Sequence, residues 1–341
     1  MRFDNNIKPA RAIHEPNRMS QDGVTFEIFV AKGFCEHEAS SITHTLAKAN
    51  DVLQRAVFKT RYVSDTPGLI GSRGEQMVRA EPAVDDYGFS DVMIVLGGKT
   101  VSTAGWIKRV RQMQRQARCV ALLSDAAAHY IQSVKKKEGP VTTHWRHAES
   151  LRETGYHPNI TDNLAEKSDG IITAAGSGAT SELVLGLIEP YLDQVQIAEI
   201  SSHLLLPGIR KNTAEQPKQL SGNSVLFNGR VARVIRVMED HIADGIDMET
   251  VAKHAGMSSR QIERIFQDVF NQSPGKFYKQ LRTKKAWALI EETLLPLVDI
   301  AVATGFRQVS TMSKAVSATY NISPAQSRAR RSVALMNFDD A

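Results

Sequence analysis

Cysteine is nearly absent. Cys35 and Cys119 are the only two in 341 residues, too few for a disulfide framework and without the paired spacing of a structural zinc site. No metal ion and no cofactor are expected, and free thiols suit a reducing compartment. Long apolar runs are also missing. No stretch of about 18 apolar residues occurs, which removes a helical membrane span. The first twenty residues are polar, so a secretory signal peptide is not expected and the cytoplasm is the anticipated location.

What remains is a globular composition, 42% hydrophobic and 23% charged. The length favours two domains over one core. Charge is unevenly placed. Residues 228–334 hold 16 Lys plus Arg against 10 Asp plus Glu, a net of +6, whereas the whole chain is +5, so the remainder sums to −1. A basic module joined to a near-neutral one fits a polyanion-binding domain beside a separate partner domain. A merely solvated helical surface would look the same from charge alone.

Periodicity divides the chain in the same place. Short apolar runs at Val24–Ala31, Asp91–Leu96, Cys119–Leu123 and Gly170–Ala174 read as buried strands. Helical candidates near Glu38–Leu53, Thr103–Gln116 and Thr180–Tyr191 lie between or after them. This alternation predicts an α/β, doubly wound, mostly parallel sheet. The polar segment 211–224, with Pro217 and Gly222, reads as a boundary, and beyond it only helical spacing is found. The expected organisation is a polar tail (1–20), an α/β domain (21–205), a linker (206–227), an all-α domain (228–334) and a second tail (335–341).

An internal repeat carries the strongest signal. Val251, Ala252 and Gly256 match Ile300, Ala301 and Gly305 at an offset of 49, and Ile262, Arg264 and Phe266 match Met312, Lys314 and Val316 at 50. Asn271, Ser273 and Pro274 then match Asn321, Ser323 and Pro324. Small Ala lets two helices approach, Gly permits a positive φ at the turn between them, and Met257 or Phe306 plugs the corner. Residues four apart point inward on the following helix. Ser-Pro opens another helix as N-cap and first helical residue. The outward set is left for DNA: Ser258, Ser259, Arg260, Gln261, Glu263 and Arg264 in the first copy, Arg307, Gln308, Val309, Ser310, Thr311 and Lys314 in the second. Arg and Gln at such positions suit guanine and adenine edges in the major groove.

Residues 228–334 resemble the DNA-binding domain of the AraC/XylS family, down to Gly305-Phe306 and Ile322-Ser323-Pro324. The resemblance implies seven helices in two helix-turn-helix subdomains joined by a long helix, here about Lys276–Glu292 with Lys284 and Lys285 available to phosphates. It also implies recognition helices in successive major grooves, about 34 Å apart. Where the family's second unit usually has aromatic residues, Met312 and Val316 stand, implying looser packing.

Residues 24–200 resemble the amidotransferase-like, flavodoxin-like domain of the PfpI/ThiJ superfamily, through Ala31-Lys32-Gly33-Phe34, Gly97-Gly98, Thr143-His144-Trp145 and Thr173-Ala174-Ala175-Gly176. The domain order is similar to GlxA-type regulators. The resemblance places the superfamily's nucleophile elbow at Ser124 and its acidic partner at Glu38. Ser124 is not Cys, and Leu122 and Ala126 replace the glycines of a G-x-S-x-G elbow, so no catalytic residue is expected. Glu38, Gly98, Ser124, Asp125, His144 and Trp145 form the expected effector pocket. The group implies a small amine or amino-acid-like ligand, for which Trp145, Phe34 and Tyr130 are candidate cage residues. Double-stranded promoter DNA, RNA polymerase and a second copy of the chain are the implied partners. Two other readings stand beside this one: an amidotransferase-like or deglycase-like hydrolase with a DNA-binding appendage, and an architectural protein without ligand.

Overall fold

The structure is a computed structural model that describes residues 1, 23–83, 88–98, 103–133, 138–217, 229–293 and 295–329. Apart from Met1, the expected tail 1–20 lies outside these residues. So do 218–227 of the expected linker and the tail 335–341. The chain separates into two compact units, Met1–Gln216 and Pro217–Ala341.

In the first unit the order is β1 (Val24–Phe29), α1 (Glu36–Leu53), β2 (Phe58–Ser64), β3 (Gly68–Gly71), β4 (Met77–Pro82), β5 (Val92–Val95), α2 (Thr103–Arg115), β6 (Cys119–Leu123), α3 (Ser124–Ser133), α4 (Trp145–Glu153), β7 (Ala165–Ser168), β8 (Ile171–Ala174), α5 (Thr180–Ile188) and α6 (Gln194–His203). Among the described residues eight strands form one sheet, ordered β3-β4-β2-β1-β5-β6-β8-β7. Its interior is parallel throughout, and only the outer pairs β3·β4 and β7·β8 run antiparallel.

The continuous apolar runs reflect burial on both faces. Phe26, Ile28, Ile94, Ala121 and Leu123 pack in one core, together with Ile42 and Leu46 of α1 and Leu183 of α5. Their strand neighbours Phe29, Met93, Val95, Val120 and Leu122 face the other way, against Trp106 and Val110 of α2. A doubly wound sheet covered by helices on both sides is the result.

The segment expected to open the linker belongs to this unit up to Gln216. Arg210 pairs with Glu182 at 2.9 Å, and Leu164 and Ala165 donate to Ala214 and Asn212 carbonyls. Its polar composition reflects edge hydrogen bonding, not freedom from the core.

The second unit is helical throughout its described residues: α7 (Gly229–Asp240), α8 (Met248–Ala255), α9 (Ser259–Phe270), α10 (Pro274–Glu292), α11 (Leu297–Ala303) and α12 (Val309–Tyr320), with a further helix opening at Pro324. Two separate cores form. Val231, Ile235, Val251, Ile262 and Phe266 close the first with Phe277 and Tyr278 of α10. Ile300, Phe306, Met312 and Val316 close the second with Ala286, Leu289 and Ile290, farther along α10. One helix thus lends one end to each core.

Candidate functional site

Each copy of the repeat folds as a helix-turn-helix. In the first, α8 ends at Gly256 in the left-handed region (φ 65°), whose N–H returns to Ala252 and Lys253 carbonyls. Ser258 then caps α9. In the second, Gly305 takes the same conformation (φ 68°), and Phe306 N–H donates to Ala301 O at 2.8 Å. A cap at Gln308, one residue later than in the first copy, absorbs the extra residue of the second turn. Ile262, Phe266, Met312 and Val316 are all buried. At the rim of the second unit Trp287 and Tyr320 stack at 4.4 Å and 14°.

The opposite faces are open. Ser258, Ser259, Arg260, Gln261, Glu263 and Arg264 are exposed, as are Arg307, Gln308, Ser310, Thr311 and Lys314. Lys284 is exposed and Lys285 half-buried on α10. Not all these groups are equally available. Gln261 N–H donates to Ser258 Oγ at 3.3 Å, and Ser258 N–H donates to Gln261 Oε1 at 2.9 Å. That reciprocal capping box occupies two side chains expected to read bases. Arg260 and Arg264 remain as the long cationic groups of α9. On the second unit Arg307 precedes its helix, and Gln308 supplies no side-chain cap.

In the first unit the carboxyl ends of β5, β6 and β8 converge on Ser124, which starts α3 directly after β6 with φ at +44°. This is a strand-to-helix elbow in a backbone region costly to a non-glycine residue. Ser124 Oγ bonds Glu38 Oε1 and lies 3.0 Å from Ala175 O. Glu38 also accepts from Gly97 N–H and Ser177 N–H, both at 3.0 Å. Burial raises the Glu38 carboxyl above its ordinary range, against the pull of these hydrogen bonds. A serine has one proton and faces two acceptors here. A side chain at Gly176 would lie 2.2 Å from both Glu38 Oε1 and Ser124 Oγ, so the elbow is closely packed.

Beside it Asp125 takes Arg73 at 2.8 Å and His147 at 2.6 Å. It stays below the usual carboxylate range despite burial, held there by His147 and Arg73. His144 caps α4 by accepting from Arg146 N–H at 3.3 Å, and its ring lies 5.6 Å from Trp145. Burial, with His147 and Arg146 nearby, lowers His144 to about 4. Glu38, Ser124 and Asp125 are therefore brought together with His144 adjacent. Gly98 instead packs its backbone on Gly33 and Phe34, where a Cβ would meet Gly33 O at 3.0 Å. The three aromatics do not converge. Phe34 is 1% exposed, and Tyr130 lines a separate cavity with Val141, His157 and Ile171. Sequence reasoning missed Arg73, His147 and Gln216. The buried Gln216 amide accepts from Trp145 N–H at 2.8 Å and donates to Thr143 O at 2.8 Å. No pattern in the sequence marks these three.

Comparison with known proteins agrees with both halves. Residues 27–190 match the DJ-1/PfpI family, and residues 251–330 match a helix-turn-helix domain family. The HTH-type transcriptional regulator CdhR of Pseudomonas aeruginosa is 24% identical over 91% of this chain and 92% of its own length. GlxA of Rhizobium meliloti, also an HTH-type transcriptional regulator, is 22% identical over 88% of this chain and 94% of its own. Among solved structures, oxidised DJ-1 of Toxoplasma gondii aligns at a TM-score of 0.45 and 19% identity, covering 55% of this chain and 100% of that one. A DJ-1/PfpI-like stretch is thus followed by a helix-turn-helix stretch, and over most of its length the chain is similar to HTH-type transcriptional regulators.

Proposed function

We propose that this protein is a sequence-specific DNA-binding transcription regulator. It acts in the cytoplasm on promoter operators as a homodimer, contacts RNA polymerase there, and responds to a small amine or amino-acid-like effector through a non-catalytic first domain. One observation carries the reading: two copies of a helix-turn-helix, each with its inner face buried and a polar, basic outer face left open. In this reading Arg260 and Arg264 of α9 and Arg307, Ser310, Thr311 and Lys314 around α12 touch bases or phosphates. Ser259, Gln308, Lys284 and Lys285 add backbone contacts. Ser258 and Gln261 act mainly by holding the start of α9 rigid.

Operators selected from random duplexes supply the test. Arg260→Ala and Arg307→Ala should each weaken binding by about 1–3 kcal/mol if the arginine pairs with a guanine, and affinity should fall steeply with salt. A double variant that binds as tightly as the parent would refute the assignment. The absence of catalysis is supported by Ser124, which is 8% exposed and hydrogen-bonded to Glu38, with no His ring among its hydrogen-bond partners in the described residues. For the effector, the partly exposed cluster of Arg73, Asp125, His144, Trp145 and His147 is the proposed contact surface. A thermal-shift series with quaternary amines and amino acids tests it, since a ligand should raise the melting temperature with log concentration and Asp125→Asn should abolish the response.

A further inference from the structure

The two helix-turn-helix cores share a single covalent support, α10. A lone helix joining two bodies leaves them free to bend and twist about it, which would blur the spacing of α9 and α12. A second, off-axis attachment removes that freedom, and the structure contains one. The loop between α7 and α8, in the first subdomain, lies directly on the turn of the second. A Cβ placed at Gly305 would sit 2.3 Å from Ile242 O and 3.1 Å from Gly245 Cα. This is backbone on backbone, an approach only glycine permits.

Arg282, midway along α10, closes this contact. Its guanidinium lies 4.6 Å from the Tyr278 ring centroid and 5.7 Å from that of Phe306. Tyr278 belongs to the first core and Phe306 to the second. Arg282 Nη1 donates to Gly305 O at 3.2 Å, and Tyr278 Oη donates to His241 O, in the same loop. Planar, half-buried and cationic, the guanidinium has one ring from each body to lie over and one carbonyl to hold.

We propose that Arg282 is the positioning residue that fixes the relative placement of the two recognition helices, and so sets which spacing of half-motifs the protein accepts. The placement claim concerns the protein alone; its consequence for DNA rests on the regulator reading above. The repeat also supplies its own control. Gly256 has almost the same φ as Gly305, +65° against +68°, yet nothing lies within 4 Å of its Cβ position. Gly256→Ala and Gly305→Ala therefore carry the same local strain, and only the second presses the subdomains apart.

The test uses the full chain with nitroxide labels introduced by Asp268→Cys and Ala318→Cys, both exposed positions, in a Cys35→Ser, Cys119→Ala background. Pulsed dipolar spectroscopy reads the distance between α9 and α12 without DNA. The expected results are one narrow distribution in the parent, a widened one in Arg282→Met, a shifted mean in Gly305→Ala and no change in Gly256→Ala. Circular dichroism confirms retained helix in each. An unchanged distribution in Arg282→Met, or equal shifts in the two glycine variants, would overturn the proposal. On selected duplexes, changing the spacing between half-motifs by one base pair should cost the parent about tenfold or more, the value of one good base contact, and should cost Arg282→Met little. A parent that selects no duplex sinks the regulator reading and leaves the distance result standing.

Discussion

The two recognition helices start differently, and the difference has a measurable size. At the start of α9, Ser258 Oγ accepts the backbone N–H of Gln261, the third residue of the helix, and Gln261 Oε1 accepts Ser258 N–H in return. At the start of α12, Gln308 makes no side-chain cap bond, and Thr311 N–H reaches only the Gln308 backbone carbonyl at 3.2 Å. Replacing a serine N-cap by alanine costs about 1 kcal/mol. Ser258→Ala should therefore raise the local opening of the first turn of α9 about fivefold. Gln308→Ser should act in the opposite sense, giving Thr311 N–H an acceptor and slowing its opening by a similar factor. Amide hydrogen exchange resolved to residues 260–263 and 310–313 reads both effects locally, which matters because a chain with two units need not unfold in one step. The reasoning fails if Ser258→Ala leaves exchange in α9 unchanged, or if Gln308→Ser speeds exchange in α12.

Two further predictions concern the elbow. His144 binds its proton less tightly folded than unfolded between about 4 and the ordinary 6.5, so the first unit should lose stability as pH falls through that window. The loss is of order 1–2 kcal/mol after allowance for the ring's partial exposure; His144→Asn, which keeps a capping acceptor, should remove it from denaturation curves taken at pH 7 and pH 4.5. Glu38 is the opposite case, raised by burial, so its contribution is complete below its ordinary range and is lost as pH rises through the folded value. In Glu38→Gln the amide can donate to Ser124 Oγ but cannot accept from both Gly97 and Ser177, and one orphaned buried N–H costs about 1–3 kcal/mol. The loss in urea midpoint should shrink as pH rises from 5 to 8; a loss that grows with pH would contradict a Glu38 carboxyl raised by burial.

Legibility followed burial. β1, β5, β6 and β8 were readable because each is apolar on both faces in the middle of the sheet. β2, with the sequence FKTRYVS, was not, since Lys59 and Thr60 stand exposed while Arg61 reaches inward to pair with buried Glu27 at 3.1 Å. The outer strands β3, β4 and β7 carry no clean alternation, because each has a pairing partner on only one side or a solvated face. Ser124 and Glu38 were placed by resemblance, and their meeting across 86 residues has no local signature. Arg73, His147 and Gln216 act through tertiary contacts alone. The helix-turn-helix units were legible for the contrary reason. Each is local, its chemistry is dictated by a turn glycine and an N-cap, and it was written twice.

Duplication also permits the copies to specialise. In the first, Arg260 and Arg264 stand on α9 behind a closed capping box, so their backbone is already fixed before any duplex arrives. In the second, Arg307 precedes the helix, in the stretch between Gly305 and an uncapped start. Fixing backbone and a long side chain there costs free energy at the moment of binding, about 1–2 kcal/mol for one residue's backbone alone. Equal base contacts should therefore yield unequal net effects. Arg260→Ala should cost more affinity than Arg307→Ala on one selected operator, and Gln308→Ser, by ordering the start of α12 in advance, should narrow the gap. Were Arg307→Ala the costlier of the two, the turn of the second unit would have to be as rigid in the free protein as the helix it precedes.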